Sequence, residues 1–197
     1  MNVFEFNTAW MVYNLYLGVL SVIFSRFLFK MPHRIYSWIA GTLWFLYLPN
    51  TIYIFSDLHH LVEQWTTVDL VGKIILIIQY GVLEAIGLTC FLVAFYPVEI
   101  ILQRLGFSKN NLAYLIVLFN MLIGQAIVLG KIQRVNSWDV FMNPNFVISS
   151  ALTQVNSYQL VVLGILFGLF TNFFYFLLRD KAKKLYSSWV SEKPFKV

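Results

Sequence analysis

The chain has 197 residues and a net charge of +5; 59% of it is hydrophobic, 18% aromatic and only 12% charged, and its mean hydropathy is +0.72. Soluble domains carry about 25% charged and about 45–50% apolar residues, so an ordinary soluble domain is excluded and a multi-pass membrane protein is left. The basic residues flank apolar runs and form no aromatic-interleaved patch, which argues against nucleic acid as a partner.

Five apolar runs, roughly 8–29, 35–56, 71–97, 112–130 and 157–178, reach the length of about 20 residues that a hydrocarbon core requires. The expected fold is all-α: a multi-pass transmembrane bundle of about five spans, one domain over 1–178, with 179–197 as a basic amphipathic tail. No internal repeat or low-complexity linker divides it. Of the 14 Lys and Arg residues, all but Lys73, Lys131 and Arg134 fall in 26–34, 98–111 or the tail. The positive-inside rule therefore sets these segments and the C-terminus in the cytoplasm and the N-terminus outside. The first residues lack a basic n-region and a small-residue cleavage site, so the first run reads as a retained span. Cys90, the single cysteine, excludes an intrachain disulfide and reads as a small buried hydrophobe.

In the first run, Trp10 and Tyr13 suit an interface belt, and Asn14, about one turn deeper, suits an interhelical hydrogen bond. The second run starts as a membrane helix at Trp44, meets Pro49, and ends in Asp57, His59 and His60. Proline lacks an N–H and frees carbonyls a turn earlier, here near Phe45 and Leu46, and in hydrocarbon these must find partners. The third run carries Glu84 between Gly81 and Gly87, glycines that would let another helix approach. A charged carboxylate at mid-bilayer costs at least about 2.5 kcal/mol, so Glu84 is expected to be neutral, paired or facing water. It is either a proton or ion site or a partner of Asn120 or Gln125 in the fourth run.

Further on, Asn143-Pro144 resembles an N-cap followed by proline at the first helical position. The segment it opens, 145–154, is too short to cross and suits an interfacial or re-entrant helix. Asn156 or Ser157 can cap the last span. Past it, Leu178, Ala182, Leu185, Tyr186 and Trp189 recur at helical spacing, an amphipathic stripe suited to an anionic leaflet.

Two polar stretches are expected to meet on the extracytoplasmic side. On a resumed helix, Asp57 and His60, His60 and Glu63, and His59 and Glu63 stand at facing separations. A carboxylate beside an imidazole can orient it or share a metal with it. The other stretch, 131–139, brings a permanent cation, several donors and a second carboxylate. The expected pocket comprises Asn50, Asp57, His59, His60, Arg134, Asn136, Ser137 and Asp139. With His33 on the opposite side, a zinc site would have to use Asp57, His60, Glu63 and Asp139, so no metal is assigned. Ser137, a histidine and Asp139 are the members of a hydrolytic triad, but no spacing enforces one. The plainest outcome is an ion pair of Asp57 or Asp139 with Arg134, latching the interrupted helix to the loop. The sequence names no cofactor and no oligomeric state.

These stretches carry a resemblance. Tyr13-Asn14-Leu15, Leu48-Pro49-Asn50-Thr51-Ile52-Tyr53, Ser56-Asp57-Leu58-His59-His60-Leu61, Gly130-Lys131, Arg134-Val135-Asn136-Ser137-Trp138-Asp139 and Asn143-Pro144 stand in this order. The chain thereby resembles the bacterial integral membrane family known as domain of unknown function 1361. It departs from that pattern at Thr51-Ile52, where the family has Ala-Pro, which makes the helix break milder, and at Lys131, where it has Arg, which forfeits a bidentate fork. The resemblance implies a bacterial cytoplasmic membrane and singles out the same two stretches, but brings no activity with it.

Three readings follow. The leading one is an outward-facing pocket that binds or transports an ion, a lipid headgroup or a small polar solute, with Glu84, Asn120 and Gln125 extending the polar track inward. The second is a membrane-embedded enzyme acting on a lipid-linked or cell-envelope substrate, with Asp57 and a histidine as acid and base and Arg134 holding an anionic group. The third is an accessory subunit whose polar stretches only fix helix packing.

Overall fold

The computed structural model describes residues 3–30 and 34–189; His33 and the end of the basic tail lie outside them. The described elements are helical: α1 (Val3–Lys30), α2 (Arg34–Tyr47), α3 (Pro49–Tyr53), a 3-10 turn (Ile54–Asp57), α4 (Leu58–Gln64), α5 (Leu70–Arg104), α6 (Lys109–Ile132), α7 (Asp139–Met142), α8 (Pro144–Val155) and α9 (Tyr158–Trp189). Four segments, Val3–Lys30, Leu70–Arg104, Lys109–Ile132 and Tyr158–Ser187, are long and apolar enough to cross a membrane. The chain is an all-helical membrane protein. The run expected as a span over 35–56 is no single long helix but is divided among α2, α3 and the 3-10 turn.

That divided segment runs antiparallel to α1 along its length. Gly41 lies beside Leu28 and Thr51 beside Gly18. Farther along, Asp57 meets Asn14, and the amides of Gln64 and Asn7 exchange hydrogen bonds of 2.7 and 3.0 Å. α5 lies parallel to α1: Gln79 Nε2 donates to the Phe4 carbonyl and to Thr8 Oγ1, both at 3.2 Å, and at the far end Arg104 sits over the Phe29 ring. Side chains start four of the helices, two of them, at Asn143 and Ser157, where the sequence suggests. Asp69 accepts from the Gly72 N–H, Ser108 from that of Asn111, Asn143 from that of Phe146 and Ser157 from that of Leu160.

α6 and α9 pack closely, because Gly124 faces Gly164 and Gly168. A methyl group added at Gly124 would overlap the Gly164 carbonyl oxygen and the Gly168 nitrogen. This small-residue contact draws α6 toward α9, and Asn120 Nδ2 donates to Asn172 Oδ1 at 2.9 Å. Asn120 is thereby paired with α9 and not with Glu84. Gln125 donates to the Val161 carbonyl and accepts from Gln154 of α8, so it too leaves Glu84 alone.

At the opposite end, a buried carboxylate joins α5 to α9. Glu99 is only 1% exposed and accepts from Tyr175 Oη, from Arg179 through Nε and Nη2, and from Gln103 Nε2 at 2.9 Å. The sequence reading gave 98–111 to a loop; α5 instead continues through Arg104, which carries Glu99 inside. The stripe expected to lie on a leaflet is partly covered by protein: Ala182 is buried and the Tyr186 ring packs against Phe29 and Tyr96. Cys90 is buried with a free thiol.

A paired substitution tests the glycine contact. Gly124→Ala forces backbone apart and is expected to lower stability by about 1–3 kcal/mol. Gly81→Ala, whose added carbon meets nothing within 4 Å, is expected to leave it unchanged or raised. Thermal unfolding of both variants in one detergent makes the comparison, and equal melting of the two contradicts the packing described.

Candidate functional site

The site grows from the irregularity at Pro49. The Leu48 N–H still reaches the Trp44 carbonyl at 2.9 Å, and Leu48 keeps helical angles, so the helix is interrupted by a single residue. The loosened carbonyls then find partners one by one. The Leu46 carbonyl accepts from Ser137 Oγ at 2.8 Å, that of Tyr47 from Asn50 Nδ2 at 3.0 Å, and that of Leu48 from both the N–H and the hydroxyl of Thr51. Asn50 Nδ2 also donates to Ser137 Oγ at 3.1 Å. One serine from the distant loop thus satisfies the backbone of the interrupted helix and binds its asparagine.

A buried ion pair fixes the same junction. Asp57 is 4% exposed; its Oδ1 accepts from Lys131 Nζ at 2.7 Å and its Oδ2 from Asn14 Nδ2 at 3.1 Å. Lys131 also sits over the Tyr53 ring. α1, the 3-10 turn and the end of α6 are held by this one carboxylate. The latch expected between Asp57 or Asp139 and Arg134 is therefore made by Lys131. α6 ends at Ile132, and Arg134, with φ +59, lies past its end and is exposed, whereas Lys131, still helical, points inward. Asp139 turns back on its own loop and accepts from the backbone and side-chain nitrogens of Asn136.

Between these ties lies a cavity of about 290 Å³. Its walls are mainly apolar, including Leu17, Phe45, Pro49, Ile127 and Val147, and Asn14, Asn50, Asn136 and Ser137 supply neutral polar groups. No charged side chain lines it among the described residues.

The structure sorts the sequence-predicted residues. Asn50, Asn136 and Ser137 line the cavity, Asp57 stands behind Asn14, and Arg134 and Asp139 are drawn elsewhere. His59 and His60 are on α4: His59 Nδ1 bonds the Ser56 carbonyl oxygen and His60 Nδ1 bonds Glu63 Oε2. Neither imidazole is bonded to Ser137 or Asp139 through the ties described, so no hydrolytic triad assembles. Glu84 faces the junction from α5. Both its carboxylate oxygens, and the hydroxyl of Tyr80 one turn away, are buried without a hydrogen-bond partner among the described residues. Of the two flanking glycines, only Gly87 admits a neighbour: a carbon added there would lie 2.8 Å from the Thr51 carbonyl oxygen.

A family model described as "Protein of unknown function (DUF1361)" matches residues 13–174. The chain belongs to that family. The match takes in every residue of the junction, from Asn14 through Asp57 and Glu84 to Ser137. No curated protein and no solved structure matches this DUF1361 chain.

Lys131 is the residue of the junction that charge type alone does not select, since a permanent cation sits three positions beyond it. Lys131 directly follows the fourth apolar run, and a helix continued one turn past that run would have found it, as α6 does. Removing the cation tests the pair. Lys131→Met leaves the Asp57 charge buried and uncompensated and is expected to cost about 3–5 kcal/mol, while adding Asp57→Asn recovers much of the loss. Unfolding of the two variants beside the parent decides it; a Lys131→Met protein as stable as the parent contradicts the buried pair.

Proposed function

We propose that this protein is a five-pass membrane protein whose extracytoplasmic cavity binds a small amphipathic ligand with an uncharged, hydrogen-bonding head, such as a neutral lipid headgroup. The carrying observation is the lining: Asn14, Asn50, Asn136 and Ser137, with the rings of Tyr13, Tyr53 and Trp138, are set in apolar walls, and the nearby charges of Asp57 and Lys131 are spent on each other. An ion would meet no counter-charge in such a lining. An amphiphile would meet hydrogen-bond partners and apolar contact together, the usual composition of ligand pockets, and the volume stands near the lower end of their range of about 300–1,000 Å³. The fifth pass is supported by the antiparallel pairing of the α2–α4 segment with α1 from Gly41 to Gln64. The orientation, N-terminus outside and C-terminus in the cytoplasm, rests on the basic residues gathered at the other end.

A second reading, a proton-linked transport step, is favoured by Glu84 and Tyr80. Their unpartnered polar atoms lie one helical turn apart on α5, facing the Asp57 junction. They extend the polar character of the site into the bundle.

Mass spectrometry of the protein released intact from mild detergent tests the binding reading. The parent is expected to carry a bound amphiphile, and the cavity-filling variants Ala126→Trp and Val147→Trp to lose it. A parent that carries none, or variants that carry as much, overturns the proposal. For the second reading, Glu84→Gln is expected to abolish uptake of that same species into proteoliposomes while leaving its binding intact. Unchanged uptake excludes a coupling role for Glu84.

A further inference from the structure

The turn from the 3-10 segment into α4 gathers three metal-ligating side chains at one corner. One ligand-type atom from each of Asp57, His59 and His60 lies within 4.8 Å of the other two. The two imidazole rings lie side by side, with centroids 3.7 Å apart. Their hydrogen bonds give this arrangement its meaning. His59 Nδ1 is 2.9 Å from the Ser56 carbonyl oxygen, and His60 Nδ1 is 3.0 Å from Glu63 Oε2. A carbonyl oxygen and a carboxylate oxygen only accept, so each Nδ1 carries a hydrogen, and in the neutral ring, the form that binds a metal, each Nε2 then offers its lone pair. A carbonyl on one ring and a carboxylate on the other are the outer partners that orient metal-binding imidazoles.

Asp57 completes the set. Each of its oxygens accepts one bond, from Lys131 and from Asn14, and a carboxylate oxygen has two lone-pair sites, so one remains on each. Asp57 and Glu63 together also outweigh Lys131 by one negative charge. Two imidazoles and one carboxylate leave a fourth tetrahedral position open, the pattern of ligation suited to zinc and its neighbours.

We propose that Asp57, His59 and His60 form a site for a divalent transition-metal ion of the zinc class, with Ser56 and Glu63 orienting the two rings and one coordination position left for an exogenous ligand. No metal is assigned from the sequence, and the site differs from the four residues, Asp57, His60, Glu63 and Asp139, to which the sequence would confine zinc. Glu63 acts behind His60, Asp139 is withdrawn to Asn136, and His59 takes its place. The proposal is independent of the cavity reading, since none of the three ligands lines the cavity.

The test uses the full chain in detergent, purified without a polyhistidine tag. It is titrated with Co²⁺ followed by visible ligand-field bands, and with Zn²⁺ followed by calorimetry. The expected result is one ion per chain, with the Co²⁺ bands displaced by Zn²⁺. His59→Ala and His60→Ala are each expected to weaken binding by at least about tenfold, and Glu63→Gln by about 10–100-fold with the stoichiometry kept. Asp57 is left unchanged because it also anchors Lys131. Helical circular dichroism and a single elution peak establish that each variant is folded. A folded parent that gives neither bands nor heat, or a His59→Ala/His60→Ala double variant that binds as tightly as the parent, overturns the proposal.

Discussion

The contact between Asp57 and Lys131 governs the site end of this molecule. A carboxylate buried to 4% exposure inside an apolar bundle has a desolvation cost that solvent cannot offset, so it must be met by a cation and by further hydrogen bonds. Lys131 supplies the charge and Asn14 the second donor. The three groups come from three different elements, so satisfying one carboxylate fixes α1, the segment after Pro49 and the end of α6 against one another. The loop that follows α6 then has little choice of position, and Ser137 falls on the carbonyl that the proline loosened. The same rule operates at the other end, where Glu99, Tyr175 and Arg179 join α5 to α9.

The cavity is a consequence of these ties. Asn50 and Ser137 are joined, and the chain on either side of them diverges around a space walled by Leu17, Phe45 and Ile127. Because the strong charges are matched behind the wall, what faces the space is amide, hydroxyl and hydrocarbon. That separation is the ground for proposing a neutral amphiphile, and not an ion, as the ligand. Glu84 is left as a carboxylate with neither oxygen bonded among the described residues, and the Tyr80 hydroxyl beside it is unpartnered too.

Much of this was legible in the sequence. Proline in an apolar helix demanded outside partners for its carbonyls, and the polar run at 131–139 was the segment able to give them. The caps at Asn143 and Ser157 and the pairing need of Asn14 were equally readable. The choice of Lys131 over Arg134 was not, because it turns on where α6 ends: a difference of three residues decides which cation is inside. Asn120 and Gln125 belong to α9 and α8 and not to Glu84, because Gly124, Gly164 and Gly168 bring α6 up to α9 more closely than any polar pairing could. Glu99 escaped notice because α5 is longer than its apolar run. Its carboxylate is met in the interior by Tyr175, Gln103 and the cation of Arg179, a residue that composition alone assigns to the tail.

Residues 46–57 and 131–137 close on each other. The direct measurement is cross-linking of Asn50→Cys with Ser137→Cys in a Cys90→Ala background, using a short bifunctional thiol reagent and peptide mapping. The account predicts rapid, intramolecular linkage in the folded protein. Linkage no faster than that of a Gly81→Cys/Ser137→Cys pair, which places one thiol on an open face of α5, would contradict it.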